Sequence, residues 1–180
     1  MRIALSLVFI ISYLNSADAQ EGGCALKLTQ LPQAAELRGF HLGMTLEQVK
    51  SRLPKLELGP TDEFGVMKTS LNPEFSPDYK SILQGVRTIS FEFFDGKLYS
   101  IGIGYNSSFK WQTLDEFLPE ITKALNLPFA WRSKSWRGQE LDCVDFQVTV
   151  RMIGGSPSLL LLDKATKQDM ETRLSQQQEE

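Results

Sequence analysis

Apolar residues recur at helical spacing in two stretches of this chain and alternate with polar ones through most of the remainder. The first helical stretch starts at Thr45, with Leu46, Val49 and Leu53 on one stripe. Thr45 can cap it, and Gln48, three residues on, can answer as a capping box, with Met44 and Val49 where a hydrophobic staple forms. Pro54 stops it. The second helix covers about 114–125, with Leu114, Phe117, Leu118, Ile121 and Leu125 as its stripe. Thr113 and Glu116 form a second capping box, and Asp115 and Glu116 suit the positive end of the helix dipole. Pro119 in the second turn is expected to kink it. Asn126 offers a left-handed exit, and Pro128 forbids continuation.

Period-two alternation predicts strands. Phe64–Ser70 reads as one, followed by a loop with Pro73 and Pro77. Val86–Phe93 and Lys97–Tyr105 read as a hairpin around Phe94-Asp95-Gly96. A two-residue turn would set Tyr99 against Glu92 and mix the faces. A three-residue loop with Gly96 left-handed pairs Phe91 with Tyr99, Ile89 with Ile101 and Arg87 with Ile103, and is the expected register. Three further strands follow at Phe129–Trp136, Leu141–Met152 and Ser158–Leu162, with Gly154 to Pro157 as a turn. Leu141 and Cys143 are out of step with Val144 to Met152, which predicts a bulge near 143–144. A polar helix from Asp163 ends in a glutamine- and glutamate-rich tail expected to fray. The order places helices on one face of an antiparallel sheet, an α+β class. Its helix–three-strand rhythm, seen twice, raises a tandem of two units on topology alone.

The amino end departs from this pattern. Met1 and Arg2 precede an apolar run from Ile3 to Leu14, and Ala17-Asp18-Ala19 fits a small-x-small cleavage site. The run is too short to cross a bilayer, which takes about 20 residues as a helix. Residues 1–19 are therefore expected to be a secretory signal cut between Ala19 and Gln20, leaving no stable membrane anchor. Lipid attachment at Cys24 is rejected, because Glu21 stands where an apolar residue is needed. The single globular domain is expected over 20–165, with 166–180 as the polar tail.

Cleavage removes one charge of each sign, so the mature chain keeps the formal charge of −3, which gives no electrostatic reason to bind nucleic acid. Cys24 and Cys143 both survive it. A pair without companion ligands in an oxidising compartment reads as a disulfide, the alternative being two buried free thiols.

Candidate chemistry is sparse. His41 is the one histidine, and a nucleophilic triad or dyad would have to use it, yet no nucleophile elbow occurs. It reads as a solvent-facing strand residue. Zinc ligand sets, phosphate loops and calcium loops are missing, so neither cofactor nor metal is expected. Carboxylate pairs follow no local spacing rule, which keeps an unrecognised hydrolase as a third option. The segment Trp131 to Arg137 is the most suggestive surface. On a strand, Trp131 shares the core-facing side with Phe129, whereas Arg132, Lys134 and Trp136 share the other, a composition found at interface hot spots.

Leu42-Gly43-Met44-Thr45-Leu46-Glu47-Gln48-Val49 resembles the Gly-Met-Thr-x-x-Gln-Val opening of the SmpA/OmlA-type outer-membrane lipoprotein domain. That domain is similar in fold to the beta-lactamase inhibitory protein, in which a helical segment packs on an antiparallel sheet and the unit occurs twice. The stretch is also similar to uncharacterised exported bacterial proteins. The resemblance covers about 15 residues and carries over no inhibitory contact residues. The resulting expectation is a periplasmic or secreted, non-enzymatic module that binds or assembles with another envelope protein. A secreted inhibitor or ligand-binding protein using the outer sheet face is the second option.

Overall fold

Helix α1, Leu46–Arg52, begins where its cap dictates in the computed structural model, which describes residues 23–107, 110–135 and 138–177. Gln48 N donates to Thr45 Oγ1 (3.3 Å), and Thr45 N donates to Gln48 Oε1 (2.7 Å), so two otherwise orphaned amides are satisfied. Met44 and Val49 are both buried, as a staple requires. Helix α2, Leu114–Ala124, is capped by Thr113, but Glu116 reaches past it to accept from Gln112 N at 2.8 Å. The helix runs on through Pro119, and Asn126 takes the left-handed exit at φ 51°.

Among the described residues, seven strands form one antiparallel sheet. They are β1 (Val66–Leu71), β2 (Val86–Phe94), β3 (Lys97–Tyr105), β4 (Arg132–Ser135), β5 (Gly138–Asp142), β6 (Phe146–Ile153) and β7 (Ser156–Asp163), in the order β1-β2-β3-β7-β6-β5-β4. The fold is therefore α+β as expected, although four strands rather than three follow α2. Because β3 pairs directly with β7, both helix–strand groups share one sheet and one core.

The β2–β3 hairpin corrects the expected register. Asp95 and Gly96 are both left-handed, at φ 48° and 75°, and make a two-residue turn that sets Phe94 opposite Lys97. That turn alone would mix the faces. A bulge between Leu98 and Ser100 absorbs the extra Tyr99, so Phe91 meets Ile101 and Ile89 meets Ile103. Tyr99 is thereby sent to the opposite face, beside Val66 and Phe94.

The long strand expected at 141–152 is two strands. The change of parity at Cys143 is a hairpin turn, in which Cys143 N donates to Phe146 O at 2.9 Å and Val144 is exposed. The next turn is Gly154-Gly155, both at positive φ, and Pro157 lies inside β7 just before its pairing with β3 begins at Ser158. Phe129 is 73% exposed rather than core, because β4 starts only at Arg132 and alternation does not reach back to it.

Helices α1 and α2 pack on one sheet face through Val49, Leu53, Phe117, Ile121 and Leu125 against Ile89, Phe91, Ile101, Val148 and Leu159. Helix α3, Lys164–Gln177, lies on the other face, where Met170 joins Val66, Phe94 and Tyr99. The helix extends to Gln177, and Met170 and Arg173 fasten it to the sheet.

Cys24 and Cys143 are bridged across 119 residues, which fulfils the disulfide expectation. Two hydrogen bonds continue the attachment of the amino-terminal segment, Val144 N to Leu26 O (3.2 Å) and Leu28 N to Asp145 Oδ1 (2.7 Å). Among the described residues no helix is long and apolar enough to cross a membrane.

Candidate binding surface on the outer sheet face

Strand alternation places Ser90 and Glu92 of β2, Gly102 and Gly104 of β3, Ser158 and Leu160 of β7, and Thr149 and Arg151 of β6 on the face away from α1 and α2. Helix α3 covers one end of that face. Beyond it lies a shallow trough of about 320 Å3, bounded by Arg87, Glu92, Arg151, Ile153 and Leu160. Its floor is low because it is built from small residues. A Cβ on Gly102 would stand 2.4 Å from Ser90 Oγ, and one on Gly104 would stand 2.7 Å from Thr88 Oγ1.

The trough has a basic end. Arg87 folds over Gly104, with Nη2 3.6 Å from where a Cβ there would sit, and its Nη1 comes within 4.0 Å of the corresponding point on Gly154. Its Nε is buried without a hydrogen-bond partner. Arg151 lies three strands from Arg87, on β6, opposite Ser158, which is itself opposite Gly104. Neither arginine has a carboxylate within ion-pair distance among the described residues.

The carboxylates of this face are already engaged. Glu92 Oε2 takes Lys68 Nζ at 3.1 Å and the Tyr99 hydroxyl at 2.6 Å. Burial, followed by the bond to Glu92, pushes the Tyr99 phenol well above its ordinary pKa, so it stays a donor. Glu140 pairs with Lys134 and lies 3.5 Å from Thr149 Oγ1.

Arg132 and Lys134, expected as a partner-binding face, lie exposed on the edge strand β4, and Arg132 stands opposite Glu140. They extend the outer face rather than forming a separate one. Trp136 lies outside the described residues, as do the cleavage positions Ala19 and Gln20. Trp131 is half-buried against the core, with Nε1 donating to Thr122 Oγ1 at 2.9 Å. Trp111 is buried edge-on to Tyr105.

His41 is exposed but sits before a turn, not in a strand, with Nδ1 3.0 Å from Leu42 O. Both cysteines are in the bridge, and no cluster of three or more metal-ligating side chains occurs among the described residues. A second recess of about 300 Å3 lies under the amino-terminal segment, lined chiefly by Leu28, Leu31, Leu37, Leu42 and Leu161. Neither recess brings two carboxylates together.

Arg87 and Arg151 were not singled out by the sequence. Arg151 sits on the polar parity of β6 and was in principle readable. Arg87 was not, because an irregularity between Val86 and Thr88 breaks the pairing around it. Comparison with protein-family models, with curated proteins and with solved structures finds no match to this chain.

Proposed function

We propose that this chain is an exported, non-enzymatic module of the cell envelope that binds another protein through its outer sheet face. The observation that carries this reading is the trough itself. It is a shallow, small-residue floor flanked by Arg87 and Arg151, neither of which has an ion pair among the described residues. Arginine is enriched at protein interfaces and, with tryptophan and tyrosine, dominates their energetics.

Export to the periplasm or beyond rests on residues 1–19 acting as a cleaved signal, and the Cys24–Cys143 bridge is compatible with an oxidising compartment. Kinship with the SmpA/OmlA-type domain remains part of the proposal. The capped helix at Thr45 and the helix-on-sheet architecture agree with it. A secreted inhibitor would use the same face and differs only in its partner.

Photo-crosslinking tests the reading. A benzoylphenylalanine at Thr88, exposed on the outer face, is expected to trap a discrete extracytoplasmic protein in the native host. The same group at Glu120, exposed on α2 at the opposite side, is expected not to. Equal labelling from both positions, or none from Thr88, overturns it.

A further inference from the structure

We infer that the basic end of the trough recognises a carboxylate side chain of the partner polypeptide, held between Arg87 and Arg151. This inference rests on the outer-face reading and deepens it. Three observations converge. Arg87 and Arg151 line one recess and share no ion pair among the described residues, whereas Glu92 and Glu140 on the same face are each already paired. Arg87 Nε is buried without a hydrogen-bond partner, a costly arrangement, while the residue as a whole is half-buried where it lines the recess. Between Arg87, which covers Gly104, and Arg151 the row carries the small residue Ser158, and the recess lined by all three is open there.

Guanidinium groups favour carboxylates because two parallel N–H donors match two oxygens. The surroundings select a single acidic side chain over a dense polyanion. Glu92 and Glu140 lie on the same face, and the chain carries a net charge of −3, both of which repel a nucleic acid or a highly sulfated glycan. Leu160 and the 42%-exposed Ile153 border the site and suit apolar residues beside the acid. The partner motif is therefore a glutamate or aspartate flanked by apolar side chains on an exposed segment.

The probe is an acetylated, amidated pentapeptide with one glutamate between two leucines, compared with its glutamine counterpart and with inorganic phosphate. Binding is read from the side-chain Nε–H signals of Arg87 and Arg151 in nitrogen-15 NMR of the disulfide-bonded protein. The glutamate peptide is expected to move both signals saturably, at least about tenfold more tightly than the glutamine peptide. Arg87→Gln and Arg151→Gln are each expected to reduce its affinity to that of the glutamine peptide. Arg151 is exposed, so its variant carries the test if Arg87→Gln does not fold.

No shift up to about 10 mM peptide, equal binding of both peptides, or unchanged binding by the variants overturns the inference. Phosphate moving the same signals and displacing the peptide at equal concentration also overturns it, in favour of an inorganic-anion site. Crosslinking from Thr88 that survives both substitutions removes the carboxylate inference and leaves the outer-face reading standing. Peptide binding without any Thr88 crosslink removes the outer-face reading instead.

Discussion

Arg173 of α3 grips Asp95 of the β2–β3 turn with both ends of its guanidinium, Nη1 to Oδ1 at 3.0 Å and Nη2 to Oδ2 at 2.7 Å. The same group lies 4.3 Å from the Phe94 ring centroid, and Nη1 also donates to Phe64 O. One residue thus pins α3 to the hairpin, beside the contact of Met170 with Val66, Phe94 and Tyr99. Asp95 is half of a left-handed two-residue turn, so the conformation that sets the hairpin register also aims the carboxylate at α3.

The pairing has a pH signature. The hydrogen bond from Arg173 holds the Asp95 carboxyl below its ordinary value of 3.8. A carboxylate depressed on folding contributes stability that is full above its unfolded pKa and is lost as pH falls through the folded value. Docking of α3 is therefore expected to loosen only below about pH 4, and salt is expected to weaken it because the pair is solvent-exposed. Proton NMR of the Met170 methyl reads this, and Asp95→Asn is expected to abolish the acid step. An acid step that survives Asp95→Asn assigns it to another group.

The disulfide is expected to matter more to stability than any surface pair. It closes a 119-residue loop, for which chain entropy sets a ceiling near 5 kcal/mol. Replacing both Cys24 and Cys143 by Ala should lower the urea midpoint accordingly. Hydrogen exchange should rise first at the Leu28 amide, which depends on Asp145 for its bond. A midpoint within about 0.5 kcal/mol of the parent would mean that the hydrogen bonds alone hold the amino-terminal segment.

Recovered from an exporting host, the protein is expected to begin at Gln20. Intact-mass spectrometry checks this together with the oxidised pair. A chain that retains Met1, or that carries a lipid on Cys24, contradicts the signal-peptide reading.

Local rules make much of this architecture legible in the sequence. Thr45 and Gln48 announced α1 because capping is decided within four residues, and Asn126 announced the end of α2 for the same reason. Cysteine pairing followed from there being only two to pair. The misreadings came where non-local packing decides. Tyr99 became a bulge because the sheet had to satisfy a tight turn and a one-sided core together. The break at Cys143 looked like a bulge because a parity change has the same sequence signature in a bulge and in a hairpin. Half of the candidate surface, Arg132 and Lys134, was visible as alternation. Arg87 was invisible because its position depends on Gly104 leaving room across the strand.

That dependence makes Arg87→Met the most informative single substitution. Methionine keeps much of the aliphatic cover over Gly104 and deletes the guanidinium, including the buried Nε that has no partner. Removing an unsatisfied buried donor relieves a desolvation penalty of roughly 1–3 kcal/mol, offset in part by imperfect packing of the new side chain. The expected net change in urea-unfolding stability lies between zero and a gain of about 1 kcal/mol, while affinity for the glutamate peptide falls to that of the glutamine peptide. Arg173→Met is the contrast, because both terminal nitrogens of its guanidinium are bonded, to Asp95 and Phe64, and its loss should release α3. If Arg87→Met instead destabilises the protein by more than about 2 kcal/mol, Arg87 is a structural group and the basic end of the trough is not reserved for a partner.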